Sequence, residues 1–183
     1  MAKSRVGASL TATPPVETFA EPLDAMLAEH YRQRAMCDLL DHLAADLSAP
    51  QSVDLARTIL GYLREQLPLH VLDEERDLFQ LLRDRTLAAE AIEEAFAQLR
   101  REHVEDECVS SVVIVGLERI AAAGELEDPE EFANAAKAFA EAQRRHVAFE
   151  NSSILPLART RLTRQDLRRL SRRMAARRKF APA

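Results

Sequence analysis

Three of the five His have a Glu four residues on, and two of those pairs, His70–Glu74 and His146–Glu150, lie far apart, each preceded by another His at a similar interval, His30 and His103. Residues four apart on an α-helix lie about 40° apart around its axis, so each pair projects from one helix face. The copies match beyond those letters. His70-Val71-Leu72-Asp73-Glu74 runs on to Leu78 and Leu81, His146-Val147-Ala148-Phe149-Glu150 runs on to Ile154 and Leu157, and both preceding His follow a Glu, Glu29 and Glu102. The chain reads as two helical hairpins of similar design around a pseudo-twofold centre.

The phase of the apolar neighbours says which way these residues face. A first helix, Pro22 to Leu47, carries Leu23, Met26, His30, Cys37, Leu40, Ala44 and Leu47 at spacings of three and four with one polar gap at Gln33, so His30 takes a core position. His42 falls off that stripe beside Asp38 and Asp46 and reads as solvated. A second helix, Ser52 to Asp84, turns Leu60, Leu63, Leu67, His70, Glu74, Leu78 and Leu81 inward, with Pro68 expected to kink it one turn before His70. A third, Leu87 to Ala123, places His103 in line with Phe96, Leu99, Asp106 and Val113. A fourth opens at Asp128-Pro129, a strong N-terminal cap, and aligns His146 and Glu150 with Phe139, Gln143 and Ile154; Pro156 should end it.

His–Glu pairs four apart also form ordinary contacts on helix surfaces. Here the apolar phase argues otherwise. Four imidazoles and two carboxylates on buried stripes would be costly unless something compensated them, and a bound cation does so.

The ordered set His30, His70–Glu74, His103, His146–Glu150 resembles the hemerythrin-like (HHE cation-binding) family over about residues 20–157. The resemblance implies a four-helix bundle around two iron ions, a non-haem di-iron centre, with the four His as neutral ligands and Glu74 and Glu150 as bridges. Ferritin-like bundles place Glu three residues before His, an order absent from this chain. The likeness departs from the oxygen carriers on the third helix, where those have His-x-x-x-His and this chain has Glu107 after His103. An octahedral pair offers about twelve positions, of which four His, two bridging carboxylates and a bridging oxygen fill about ten. Unless Glu107 or Asp106 adds a ligand, such a centre is more open than a carrier's. It would favour binding or reducing a small oxidant (O2, peroxide or nitric oxide) in sensing or stress defence. An iron-handling or iron-sensing protein, and a scaffold bundle with a zinc or empty site, are the competing readings. Carrier, sensor and oxidant-reducing enzyme are not separable from the sequence.

Composition agrees with an all-α fold: 183 residues suit one domain, Gly numbers only four, Trp is absent, and no strand-like alternation runs for any length. No stretch is apolar enough to span a membrane, since Val109–Leu117 is interrupted by Ser110, Ser111 and Gly116. Lys3 and Arg5 precede no apolar signal core, which points to the cytoplasm. Cys37 and Cys108 do not form a disulfide framework, and nothing places Tyr31 or Tyr62 at the site.

The ends differ from the middle. Residues 1–18, with Thr11-Ala12-Thr13-Pro14-Pro15, read as a flexible arm before a bundle over 19–157. Residues 158–183 hold ten Arg or Lys against one Asp, in a chain whose net charge is −5. Thr163 with Asp166 makes a helix cap, followed by Leu167, Leu170 and Met174 at helical spacing. This favours a basic C-terminal helix docked on the acidic bundle, as in related hemerythrin-like proteins. Nucleic acid is the weaker reading, because no base-reading motif accompanies the charge.

Overall fold

The computed structural model describes residues 10, 12, 14–87, 92–124 and 126–179. Among them there is no strand. Five long helices follow one another: α1 (Pro22–Ala45), α2 (residues 52–83), α3 (Ile92–Ala123), α4 (residues 129–161) and α5 (Arg164–Lys179). The first four form an up-and-down bundle in which α1 packs on α2 and α4, and α3 closes the ring by packing on the same two. Local chemistry sets the ends. Pro22 opens α1, the Asp128 side chain accepts from the Glu131 amide at 2.8 Å to cap α4, and Gly124, at φ +73°, takes the left-handed turn that stops α3.

Two helices are not uniform. In α2, π turns at Tyr62–Gln66 and Glu74–Leu78 interrupt the α-helix, and in α4 one lies at Glu150–Ile154. At each the closing amide bonds five residues back: Leu67 to Tyr62, Phe79 to Glu74 and Leu155 to Glu150. These turns correct one expectation from the prolines: Pro156 does not end α4, which continues through Leu155–Arg161. Pro68 likewise sits just after a π turn, within a helix that continues. A proline ring clashes with the carbonyl four residues earlier and lacks an amide to bond it. The wider turn before each proline moves that carbonyl aside.

The interior splits into two apolar clusters. The lower one joins Phe19, Met26, Leu78, Phe79, Phe96, Ile154 and their neighbours, with Phe79 stacked on Phe96 at 4.4 Å. The upper one joins Met36, Leu40, Ile59, Tyr62, Leu117, Phe132 and Phe139. Between them lies a buried polar layer of Gln33, His30, His70, Glu74, Gln143, His146 and Glu150.

α5 lies across α1, the middle of α2 and a short 3-10 helix at Val16–Ala20. Leu170 and Met174 are fully buried in the lower cluster, each burial contributing about 1.5–3 kcal/mol. Thr163 and Asp166 form the expected reciprocal cap, and Arg85 clamps Asp166 at 2.9 and 3.2 Å. Arg173 reaches Asp77, Arg177 reaches Asp73 and Asp77, and Arg178 reaches Asp73. Within the stretch read as an arm, Leu10 is buried in the upper cluster and its carbonyl accepts from Arg32; residues 1–9, 11 and 13 lie outside the described residues.

Candidate metal centre

All six residues singled out by pattern and phase meet in the polar layer. His30 comes from α1, His70 and Glu74 from α2, His103 from α3, and His146 and Glu150 from α4. His30, His70, Glu74 and Glu150 form one group with ligand-type atoms within 4.8 Å of one another, and Glu74, His103 and His146 form a second. The rings pair accordingly, His30 with His70 at 5.0 Å and His103 with His146 at 4.8 Å.

Each carboxylate touches both pairs. Glu74 Oε1 lies 3.0 Å from His70 Nε2 and 3.6 Å from His30 Nε2, while its Oε2 lies 3.5 Å from His103 Nε2. Glu150 Oε2 lies 3.2 Å from His30 Nε2 and 3.5 Å from His146 Nε2. The electrostatics follow from this packing. Burial disfavours charge on His30 and His103, yet Glu150 and Glu74 outweigh it at His30, and Glu74 and Glu75 outweigh it at His103, pushing them up to about 10 and about 9. Burial likewise opposes charge on Glu74, but His70, His103 and His30 hold its carboxyl well below the usual range. The layer attracts positive charge to its centre.

Several buried atoms there have no hydrogen-bond partner: His30 Nε2, His70 Nε2, Glu74 Oε2 and both Glu150 oxygens. Such orphans are rare in native interiors, and together they form a donor set that a cation would satisfy. The opposite ring nitrogens are mostly tied. His30 Nδ1 pairs with Asn151 Oδ1 at 2.7 Å, His103 Nδ1 with Glu75 Oε1 at 2.7 Å, and His146 Nδ1 with Glu102 Oε2 at 2.8 Å. Only His70 Nδ1 among the four lacks a partner. Glu29, which corresponds to Glu102 in the repeat, is held instead by Arg32 at 2.8 and 3.1 Å.

Asn151, Glu75 and Glu102 are the residues that pattern reasoning missed. Glu75 and Asn151 each directly follow the Glu of a His-x-x-x-Glu pair, and Glu102 is half of a Glu-His doublet, so a trace of their role was present.

Between Leu99 and Val113, α3 fully buries no residue, and a cavity of about 440 Å³ opens there between α2 and α3. His70, His103 and His146 line it. Asp106 also lines it and bonds Gln143, whereas Glu107 is exposed on the wall; neither belongs to the two ligand groups. His42 is exposed, as its phase implied, and so is Tyr31. Tyr62 is buried in the upper cluster, outside both groups. Burial pushes the Cys37 thiol up to about 12, which keeps it protonated and inert.

No helix among the described residues is long and apolar enough to cross a membrane. No curated protein matches the chain significantly. A family model described as hemerythrin HHE cation binding domain matches residues 21–158, from the start of α1 to the last turns of α4, and so takes in all four bundle helices and every residue of the two ligand groups. The chain belongs to the hemerythrin HHE cation-binding family.

Proposed function

We propose that this is a cytoplasmic non-haem di-iron protein that binds or reduces a small oxidant, O2, peroxide or nitric oxide, in sensing or stress defence. The observation that carries the reading is that Glu74 and Glu150 each reach both His pairs, the arrangement two bridging carboxylates need. The orphaned Nε2 and carboxylate oxygens supply a donor set that suits iron.

His30, His70, His103 and His146 would hold the metals through Nε2, with Glu74 and Glu150 between them. Iron, when bound, supplies the redox chemistry. The protein's part is orientation and access. Asn151, Glu75 and Glu102 fix the rings of His30, His103 and His146 by Nδ1 and so turn their Nε2 atoms to the centre, where those of His103 and His146 lie 3.2 Å apart. The apolar clusters keep water from the centre above and below, while the cavity admits a small molecule beside His70, His103 and His146.

The test is metal analysis with absorption spectroscopy on purified protein. About two irons per chain with an oxo-bridge charge-transfer band, lost together in His70→Ala and His146→Ala but kept in His42→Ala, is the expected result. Zinc or no metal would favour a scaffold. Iron that neither O2 nor peroxide oxidises would favour iron handling.

A further inference from the structure

The cavity between α2 and α3 is far larger than an oxidant requires. It measures about 440 Å³, whereas O2 or peroxide displaces on the order of one or two waters at about 30 Å³ each. Cavities of roughly 300–1,000 Å³ hold organic ligands.

Its walls are chemically one-sided. Leu63, Leu67, Val71 and Phe139 supply an apolar surface, Asp106, Glu107 and the His103-bound Glu75 supply carboxylates, and its basic side chains are the ligand imidazoles His70, His103 and His146, with no Lys or Arg. Gln33 also lines it, 1% exposed, and its Oε1 has no hydrogen-bond partner. The polar chain there has a direction: Gln33 Nε2 donates to Gln143, and Gln143 Nε2 donates to Asp106. What it leaves unmet at the wall is an acceptor. An anion placed there would meet acceptors and carboxylates; a donor with positive charge would satisfy them.

We propose that this cavity binds a small organic cation, an amine whose ammonium group sits by Asp106, Glu107 and Gln33 Oε1 and whose apolar body lies against Leu67, Val71 and Phe139. The proposal deepens the di-iron reading and rests on it for what lies on the cavity floor.

Calorimetric titration of the iron-loaded full chain at pH 7 with benzylamine, benzyl alcohol and benzoate tests it. The expected order is benzylamine at least about tenfold tighter than benzyl alcohol, with benzoate weakest. Asp106→Asn combined with Glu107→Gln should erase the preference for the amine while iron stays bound. Leu67→Trp, or Val71→Phe should that variant fail to fold, should block all three ligands. Benzoate binding as tightly as benzylamine, or an amine preference that survives the carboxylate changes, overturns the proposal. Loss of iron in the carboxylate variant overturns it too, by assigning those groups to the metal. A chain without iron that still prefers benzylamine keeps the cavity assignment and loses the di-iron reading. An iron-loaded chain indifferent to ligand charge does the reverse.

Discussion

Replacing Gly116 by Ala sets two effects against each other, and the structure says which wins. Gly116 is buried on α3 against the Phe132 ring of α4. A Cβ there would lie 2.9 Å from Phe132 Cε2 and 3.3 Å from its Cγ, with Cδ2 nearer still. Carbon atoms pack well at about 3.5–4.0 Å. Helix propensity alone favours Ala over Gly by up to about 1 kcal/mol. Forcing a methyl into a packed core costs about 1–3 kcal/mol. Phe132 is 3% exposed and packed in the upper cluster, so moving its ring sacrifices buried contacts even though a cavity of about 400 Å³ adjoins both residues. An approach this close puts the cost at its upper end, about 2–3 kcal/mol, and subtracting about 1 for propensity leaves a net loss of about 1–2 kcal/mol. For a domain of this size that lowers Tm by about 2–8 °C. Urea unfolding should show a lower midpoint at unchanged slope. In a Phe132→Leu background the penalty should vanish, giving a coupling of about 1 kcal/mol or more. A Gly116→Ala protein as stable as the parent would show that propensity decides, and would refute the close-approach argument.

Met174→Ala should cost about 2–5 kcal/mol in urea unfolding while leaving the metal ratio unchanged, since Met174 is fully buried in the lower cluster and outside both ligand groups. Asp166, held down to about 2 chiefly by Arg85, should contribute stability that is complete above its ordinary value of 3.8 and lost as pH falls through about 2. Urea midpoints of wild type and Asp166→Asn should therefore converge in acid; parallel profiles would remove the Arg85 clamp from the account. In the metal-free chain His30 and His103 are charged at pH 7, so iron loading should release on the order of two protons per centre, measured with an indicator dye. The stabilisation from those two charges is full below the ordinary 6.5 and lost as pH rises through about 9 to 10, so the metal-free chain alone should weaken in that range.

The candidate centre was legible because its residues obey a period. His30, His70, Glu74, His103, His146 and Glu150 stand where a stripe of Leu and Phe demands a core residue, and that phase alone separates His30 from His42. The α5 cap was legible for a similar reason, since Thr163 and Asp166 have the spacing a reciprocal cap requires. The π turns were not. A hydrogen bond that moves from four residues back to five leaves no side-chain pattern, so Pro156 read as a stop where the helix in fact runs on to Arg161. The partners of the His Nδ1 atoms were equally hidden. Glu75, Glu102 and Asn151 reach across to rings on other helices, and only the packing angles of the bundle decide which ring each meets.

The repeat that builds this centre is symmetric, but the support behind its imidazoles is not. His103 and His146 each lean on a carboxylate, His30 leans on an amide, and His70 Nδ1 leans on nothing. A carboxylate on the far nitrogen makes an imidazole a stronger donor of electron density to whatever its Nε2 holds. Two irons held here would thus have unequal potentials, with the His103–His146 member the easier to oxidise. Both of those imidazoles line the cavity, as does His70 of the other pair, whereas His30 does not. An incoming molecule would thus meet the whole electron-rich end and only one imidazole of the other.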